Sequence, residues 1–157
     1  MKHIFQILTL LIFSAFLFAQ EPDESQYMDA YLVVADTSQD YFALRREMFD
    51  LSHKCQIPID TLDRGYDTTK NMICLPENYE DEVYAGEYFP RRAPTVSFSL
   101  EYLAYYSDSV IASDKTIALV AAIADSQEAA DALLRKIQQY IMHAFILRTK
   151  IYMGCMH

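Results

Sequence analysis

The sequence predicts an α+β domain that contains a doubled strand–helix–strand unit. Residues 31–61 and residues 119–149 align without a gap, and each segment reads as strand, polar turn, helix and strand. The two turns coincide, because residues 37–40 fall on residues 125–128, and each turn follows an apolar run. Few aligned residues are identical, so the two segments share the order of apolar and polar residues and not the residues themselves.

The first half contains a strand, a helix and a second strand. Residues 31–35 are an apolar run that predicts strand one, and helix one is predicted over residues 39–54. The apolar residues of this helix share one stripe: Leu44, Met48 and Leu51. Residues 57–62 predict strand two, and Pro58 indicates that this strand starts at an edge or has just left the helix.

The second half repeats this order. Residues 116–123 are almost continuously apolar, which predicts a strand that is covered on both faces. Asp125 with Glu128 three residues later matches a capping box at the start of a helix over residues 129–142. Residues 144–153 predict the last strand.

Residues 63–115 have no counterpart in the repeat and are interpreted as an insertion. They contain three predicted short elements: a turn at 64–67, a strand at 72–75 and a strand with a glycine bulge at 82–89. Residues 95–106 fit both a strand period and a helical stripe, so both interpretations stay open there.

Residues 1–19 have the pattern of a secretory signal peptide. A basic start precedes an uncharged apolar run over residues 4–18, and a small residue ends the segment. The apolar run is shorter than the ~20 residues that span a bilayer, so cleavage is expected rather than a retained membrane span. Residues 20–29 then read as a flexible lead-in to a single domain over residues 30–157.

Charge and cysteine content narrow the classes of function. The net charge of −9 disfavours DNA or RNA as a partner, because nucleic-acid binding depends on basic surface. The chain has three cysteines, and export makes a disulfide between Cys74 and Cys155 the favoured pairing. The alternative is that Cys55, Cys74 and Cys155 are all reduced and buried. No CxxC motif or nucleophilic triad is recognisable, so no enzyme is predicted.

The repeated strand, Ser-Gln turn, Ala-rich helix and strand resemble the sporulation-related repeat (SPOR) domain of bacterial envelope proteins. The residues that carry the resemblance are 31–34 with 38–39, and 118–121 with 125–130 and 144–147. The resemblance implies a ferredoxin-like βαββαβ fold, with residues 63–115 inserted between the two βαβ halves. It also implies binding to peptidoglycan glycan strands that have lost their stem peptides.

An aromatic and arginine-rich segment supplies the candidate ligand-binding residues: Tyr84, Tyr88, Phe89, Arg91, Arg92, Tyr102 and Tyr105. Sugar rings pack their C–H faces on aromatic rings, and tyrosine adds a hydroxyl group. Arg91 and Arg92 are expected to hold a carboxylate, such as the lactyl group of muramic acid, between them. The alternative is that the tyrosines form a half-buried sheet face and the arginines pair with nearby acidic residues.

We therefore expect a secreted or periplasmic, non-enzymatic binding module whose partner is cell-wall glycan. The alternative is an envelope protein that interacts with other proteins or serves as an assembly subunit, and that self-associates through its sheet, for example as a homodimer. No cofactor or metal is expected. The acidic residues 77–82 lack an EF-hand pattern, and the methionines, cysteine and histidine at residues 153–157 fit a terminal strand better than a copper site.

Overall fold

The structure is a computed structural model, and it describes residues 24–107, 113 and 115–154. The helices and strands, in chain order, are β1 (Tyr27–Ser38), α1 (Tyr41–Cys55), β2 (Gly65–Asp67), β3 (Met72–Cys74), β4 (Thr95–Tyr102), β5 (Ile117–Ala124), α2 (Gln127–Ile137) and β6 (Phe145–Tyr152). The predicted signal peptide lies outside the described residues. In the described part of the chain, no helix has the length and apolar character needed to cross a membrane.

Four strands form one sheet in the order β4-β5-β1-β6, and β2 pairs with β3 in a separate hairpin. All neighbouring strands are antiparallel. Strands β1 and β4 are therefore parallel to each other with β5 between them, and β5 and β6 are parallel with β1 between them. Two strand–helix–strand units thus interleave in one sheet, and the prediction of an α+β domain is confirmed.

Both helices contribute to one hydrophobic core against the sheet. The predicted stripe of α1 is correct, since Leu44, Met48 and Leu51 are all buried against sheet residues that include Phe98 and Leu119. The opposite face of the sheet carries a second apolar cluster, which includes Leu103 and Tyr106 from the turn after β4. Strand β5 is buried from Ile117 to Ile123, as its continuous apolar run predicts.

The prediction of a second strand over residues 57–62 is wrong. Only Ile59 forms a bridge, to Phe98 of β4. The Phe98 amide donates to the carbonyl of Pro58 at 2.7 Å, and the Asp60 amide donates to the Phe98 carbonyl at 2.9 Å. Since Pro58 has no amide hydrogen to continue a ladder, this segment covers the outer edge of β4 instead of adding a strand.

Strand β4 takes the place of the predicted second strand, so the interpretation of all of residues 63–115 as an insertion is also wrong. The excursion between α1 and β4 covers residues 56–94. The ambiguity over residues 95–106 is resolved as a strand that ends at Tyr102, followed by a 3-10 turn over Leu103–Tyr105.

Two short predictions within the excursion are wrong. Residues 82–89 form turns rather than a strand, because the Asp81 carbonyl accepts from the amides of Tyr84 and Ala85 and its carboxylate accepts from Val83. Conversely, the predicted turn at 64–67 contains β2, which pairs with β3 to form a hairpin. The predicted short strand at residues 72–75 is confirmed by β3.

Strand β1 and helix α2 begin or end at other residues than predicted. Strand β1 begins at Tyr27, inside the predicted lead-in, because it pairs with β6 there. Helix α2 begins after Ser126, whose hydroxyl accepts from the Ala129 amide at 3.4 Å, so the predicted Asp125 cap is wrong. The same helix ends at Ile137, and the side-chain amide of Gln138 donates to the Ala144 carbonyl just before β6.

Candidate functional site

A cleft of about 730 Å³ opens where β1 and β4 end and β5 begins. The residues that line it come from the turn after β1, the β2–β3 hairpin, the excursion, β4 with its following turn, and the start of β5: Gln39, Tyr66, Asn71, Met72, Tyr88, Tyr102, Ala104, Tyr105, Lys115 and Ile117. A volume in this range is typical of small-ligand pockets, which measure roughly 300–1,000 Å³. We call this site the tyrosine cleft.

Strand pairing brings these residues together. Ile117, the first residue of β5, pairs with Ser38 at the end of β1 and with Tyr102 at the end of β4. The β2–β3 hairpin is attached to the same end of the sheet, because the amide of Ile73 donates to the Tyr102 hydroxyl at 2.9 Å. The floor of the tyrosine cleft is therefore fixed by backbone registers.

Tyrosine rings form a connected wall. The Tyr88 ring lies 4.9 Å from the Tyr102 ring and 4.8 Å from the Tyr105 ring, measured between centroids. On the hairpin side, Tyr66 stacks on Tyr41 of α1 at 4.4 Å. Tyr105 has 59% of its surface exposed, so one ring of this wall is available to a ligand.

A buried ion pair holds Tyr88 in place. Glu101 of β4 accepts from the Arg64 guanidinium in a two-point contact, with N–O distances of 2.8 and 2.6 Å. The Tyr88 hydroxyl donates to the Glu101 carboxylate at 2.7 Å and accepts from the Tyr102 amide at 3.1 Å. The Arg64 guanidinium also lies 5.2 Å from the Tyr88 ring centroid. The Tyr106 hydroxyl lies 3.2 Å from the Glu101 carboxylate. We call Arg64, Glu101, Tyr88 and Tyr106 the buried network.

Charge in the buried network is set by Arg64 and Glu101. Burial alone would raise the pKa of Glu101, but the hydrogen bonds and charge of Arg64 outweigh it and hold this pKa below its usual value. Burial would lower the pKa of Arg64, yet Glu101 raises it above the ordinary arginine value. The pKa of Tyr88 is raised well above its usual value by burial and by the Glu101 charge. At neutral pH the pair is therefore ionised, and Tyr88 keeps its proton.

The structure separates the predicted ligand-binding residues into three groups. Tyr88, Tyr102 and Tyr105 meet in the tyrosine cleft. Tyr84 and Phe89 line a second pocket of about 350 Å³ on the excursion, with ring centroids 4.9 Å apart. Neither arginine lines the tyrosine cleft.

The predicted carboxylate fork of Arg91 and Arg92 does not form. Arg91 is only 2% exposed, and its guanidinium donates to the carbonyls of Ser97 and Thr95 in β4. Arg92 donates to the carbonyl of Gly154, at the end of β6, at 2.8 Å. Both side chains thus bind backbone carbonyls at different places, and neither forms an ion pair with an acidic side chain of residues 24–107, 113 and 115–154.

Several cleft and network residues escaped sequence reasoning. Glu101 follows Ser97 and Ser99 on the polar side of an alternating strand, a pattern that predicts solvent exposure, yet Glu101 is fully buried. Arg64 stands alone in a turn-like sequence, and nothing local links it to a residue 37 positions later. Lys115 lies in a polar connector, where a lysine carries no specific signal.

In the described part of the chain, the cysteines and acidic residues form no metal-binding cluster. Cys55 and Cys74 are buried free thiols, and burial raises the pKa of each. Cys155, the predicted partner of Cys74, lies outside the described residues. Among residues 24–107, 113 and 115–154, no three His, Cys, Asp or Glu side chains are grouped as they would be to hold a metal ion.

Comparisons with protein-family models, with curated proteins and with solved structures each found no match to this chain.

Proposed function

We propose that this chain is an exported, non-enzymatic binding module of the bacterial envelope that binds cell-wall glycan in the tyrosine cleft. We further propose that its fold is ferredoxin-like and that it is a distant SPOR-like domain. The strand order supports this fold: read from the β6 edge, it is β6-β1-β5-β4, with two interleaved strand–helix–strand units. The sequence pattern of residues 1–19 supports export.

The observation that carries the proposal is the convergence of four tyrosines on one cleft: Tyr66, Tyr88, Tyr102 and Tyr105. Aromatic faces bind the C–H faces of sugar rings, and the phenol hydroxyls offer hydrogen bonds at low conformational cost. The side-chain amides of Gln39 and Asn71 also line the cleft, and amides match the paired donors and acceptors of sugar hydroxyls.

The charge of the chain disfavours nucleic acid, which carries a phosphate on every nucleotide, as the ligand. A net charge of −9 repels nucleic acid. A glycan strand of peptidoglycan without stem peptides offers sugar faces repeatedly along one chain, so a cleft lined by several rings fits more than one sugar. Peptidoglycan glycan is therefore the ligand we propose.

Retention on purified cell walls tests the proposal. We expect the mature protein to sediment with amidase-treated sacculi, and Tyr105→Ala to weaken binding roughly three- to tenfold, since one aromatic contact contributes about 0.5–1.5 kcal/mol. Tyr140→Ala is the matched control, because Tyr140 is 44% exposed and does not line the tyrosine cleft. Absence of wild-type retention would remove glycan binding from the account.

One observation favours a second candidate, self-association through the sheet. The outer edge of β4 is covered by residues 58–60, whereas β6 pairs only with β1 among the described strands. An uncovered edge offers unpaired backbone groups to a second copy. Size-exclusion chromatography with light scattering separates the two candidates. The β1–β6 register turns the amide of Arg148 away from β1, so a dimer that dissociates when Arg148 is replaced by Pro supports self-association, and a monomer rejects it.

A further inference from the structure

Among the described residues that line the tyrosine cleft, one is basic. Lys115 lines the cleft just before β5 and is exposed. The other described lining residues are tyrosines, side-chain amides and apolar groups, and none of them is acidic. The cleft thus presents a positive charge in a chain whose net charge is −9.

Lys115 differs from Lys54, Lys70 and Lys150 in its partners, and it differs from Lys136, which also has no ion pair with a described residue, in its place at the tyrosine cleft. Lys54 and Lys70 contact acidic side chains at 2.6 and 2.5 Å, and Lys150 lies 3.7 Å from Glu24. Lys115 forms no ion pair with a described residue. A lysine that pairs with none of the described acidic residues, placed at an aromatic cleft, has the chemistry to hold an anionic group of a ligand.

From this placement we infer that the ligand of the tyrosine cleft is an acidic sugar whose carboxylate is held by Lys115. The inference rests on the proposed glycan function and deepens it. A single ammonium group matches a singly charged carboxylate, whereas phosphate sites gather several donors, such as arginine forks or helix amides. The tyrosine rings hold the sugar faces, and the lysine selects between sugars that share the same ring framework.

Two β-1,4-linked glycans test this inference because they differ mainly in the carboxylate. Chitin oligosaccharides are neutral, and peptide-free peptidoglycan strands carry a lactyl carboxylate on every second sugar. We expect titration calorimetry of the mature protein to show three- to tenfold tighter binding of the peptidoglycan strand at low salt, about the strength of a partly exposed charged contact. Raising the salt, or converting the carboxylates to neutral amides, should remove the difference.

Two variants separate the effect of Lys115 from the effect of the overall charge of the protein. Lys115→Gln should lose the preference for the carboxylated strand while keeping its affinity for chitin oligosaccharides. Lys150→Gln, which removes a charge from β6, should keep the preference, and circular dichroism checks that both variants fold. Equal binding of the two glycans by the wild type, or a preference that survives in Lys115→Gln, overturns the carboxylate inference alone. If neither glycan binds, the proposed function fails with it.

Discussion

Replacing Glu101 with Gln tests the buried network. The substitution keeps the shape of the side chain but removes the carboxylate that pairs with Arg64, and both side chains are fully or almost fully buried. Removing one partner of a buried ion pair costs about 3–5 kcal/mol, since the remaining charge stays out of water. A folded domain is stable by only about 5–15 kcal/mol, so the loss is a large share of the total.

Chemical unfolding followed by circular dichroism measures this loss. With a urea dependence of about 1–3 kcal/mol per molar, the midpoint of Glu101→Gln should fall by roughly 2 M. Asp50→Asn is the control, because it breaks the exposed contact with Lys54 and should leave the midpoint almost unchanged. The double variant Arg64→Met with Glu101→Leu should recover part of the loss, since it removes both charges of the pair, while the Tyr88 and Tyr106 hydroxyls lose their carboxylate acceptor. If Glu101→Gln costs no more than Asp50→Asn, the buried network does not stabilise this fold.

Two further predictions concern pH and a helix cap. The pKa of Glu101 is lower in the folded protein than the ordinary glutamate value of about 4.3, so its stabilisation is complete above that value and is lost as the pH falls through the folded pKa. The stability difference between wild type and Glu101→Gln should therefore be constant from about pH 7 to pH 5 and shrink below about pH 4, and urea titrations at each pH check it. Asp40→Ala should cost about 1 kcal/mol, because the Asp40 carboxylate accepts from the Ala43 amide at 3.0 Å at the start of α1. Thermal unfolding measures this effect, and an unchanged midpoint would show that the cap is dispensable.

Local patterns predicted most of the fold. The α1 stripe and the apolar run of β5 are correct because burial of a helix face or of both faces of a strand leaves a direct periodic signal. Residues 95–102 were recognised as one possible strand, but their place as the strand that completes the first half was missed for a nonlocal reason. Residues 57–62 have strand character, but their backbone meets β4 at one residue only, and the pairing of β4 with β5 is not visible in either segment alone.

The candidate site was predicted in part. Tyr88, Tyr102 and Tyr105 were singled out by their side-chain chemistry, and strand ends bring them together. The arginines were misassigned, because sequence does not show that Arg91 has backbone carbonyls within reach of its guanidinium. Lys115 was missed, since its position depends on the pairing of three strands rather than on its neighbours.

The most direct test of the central claim is nuclear magnetic resonance of tyrosine rings during titration with peptide-free peptidoglycan oligosaccharides. The account predicts that the ring signals of the tyrosine cleft, from Tyr66, Tyr88, Tyr102 and Tyr105, shift together with one saturation curve while the Tyr140 signal stays fixed. Ring signals that do not move at saturating oligosaccharide, or shifts that are confined to residues outside the cleft, would contradict it.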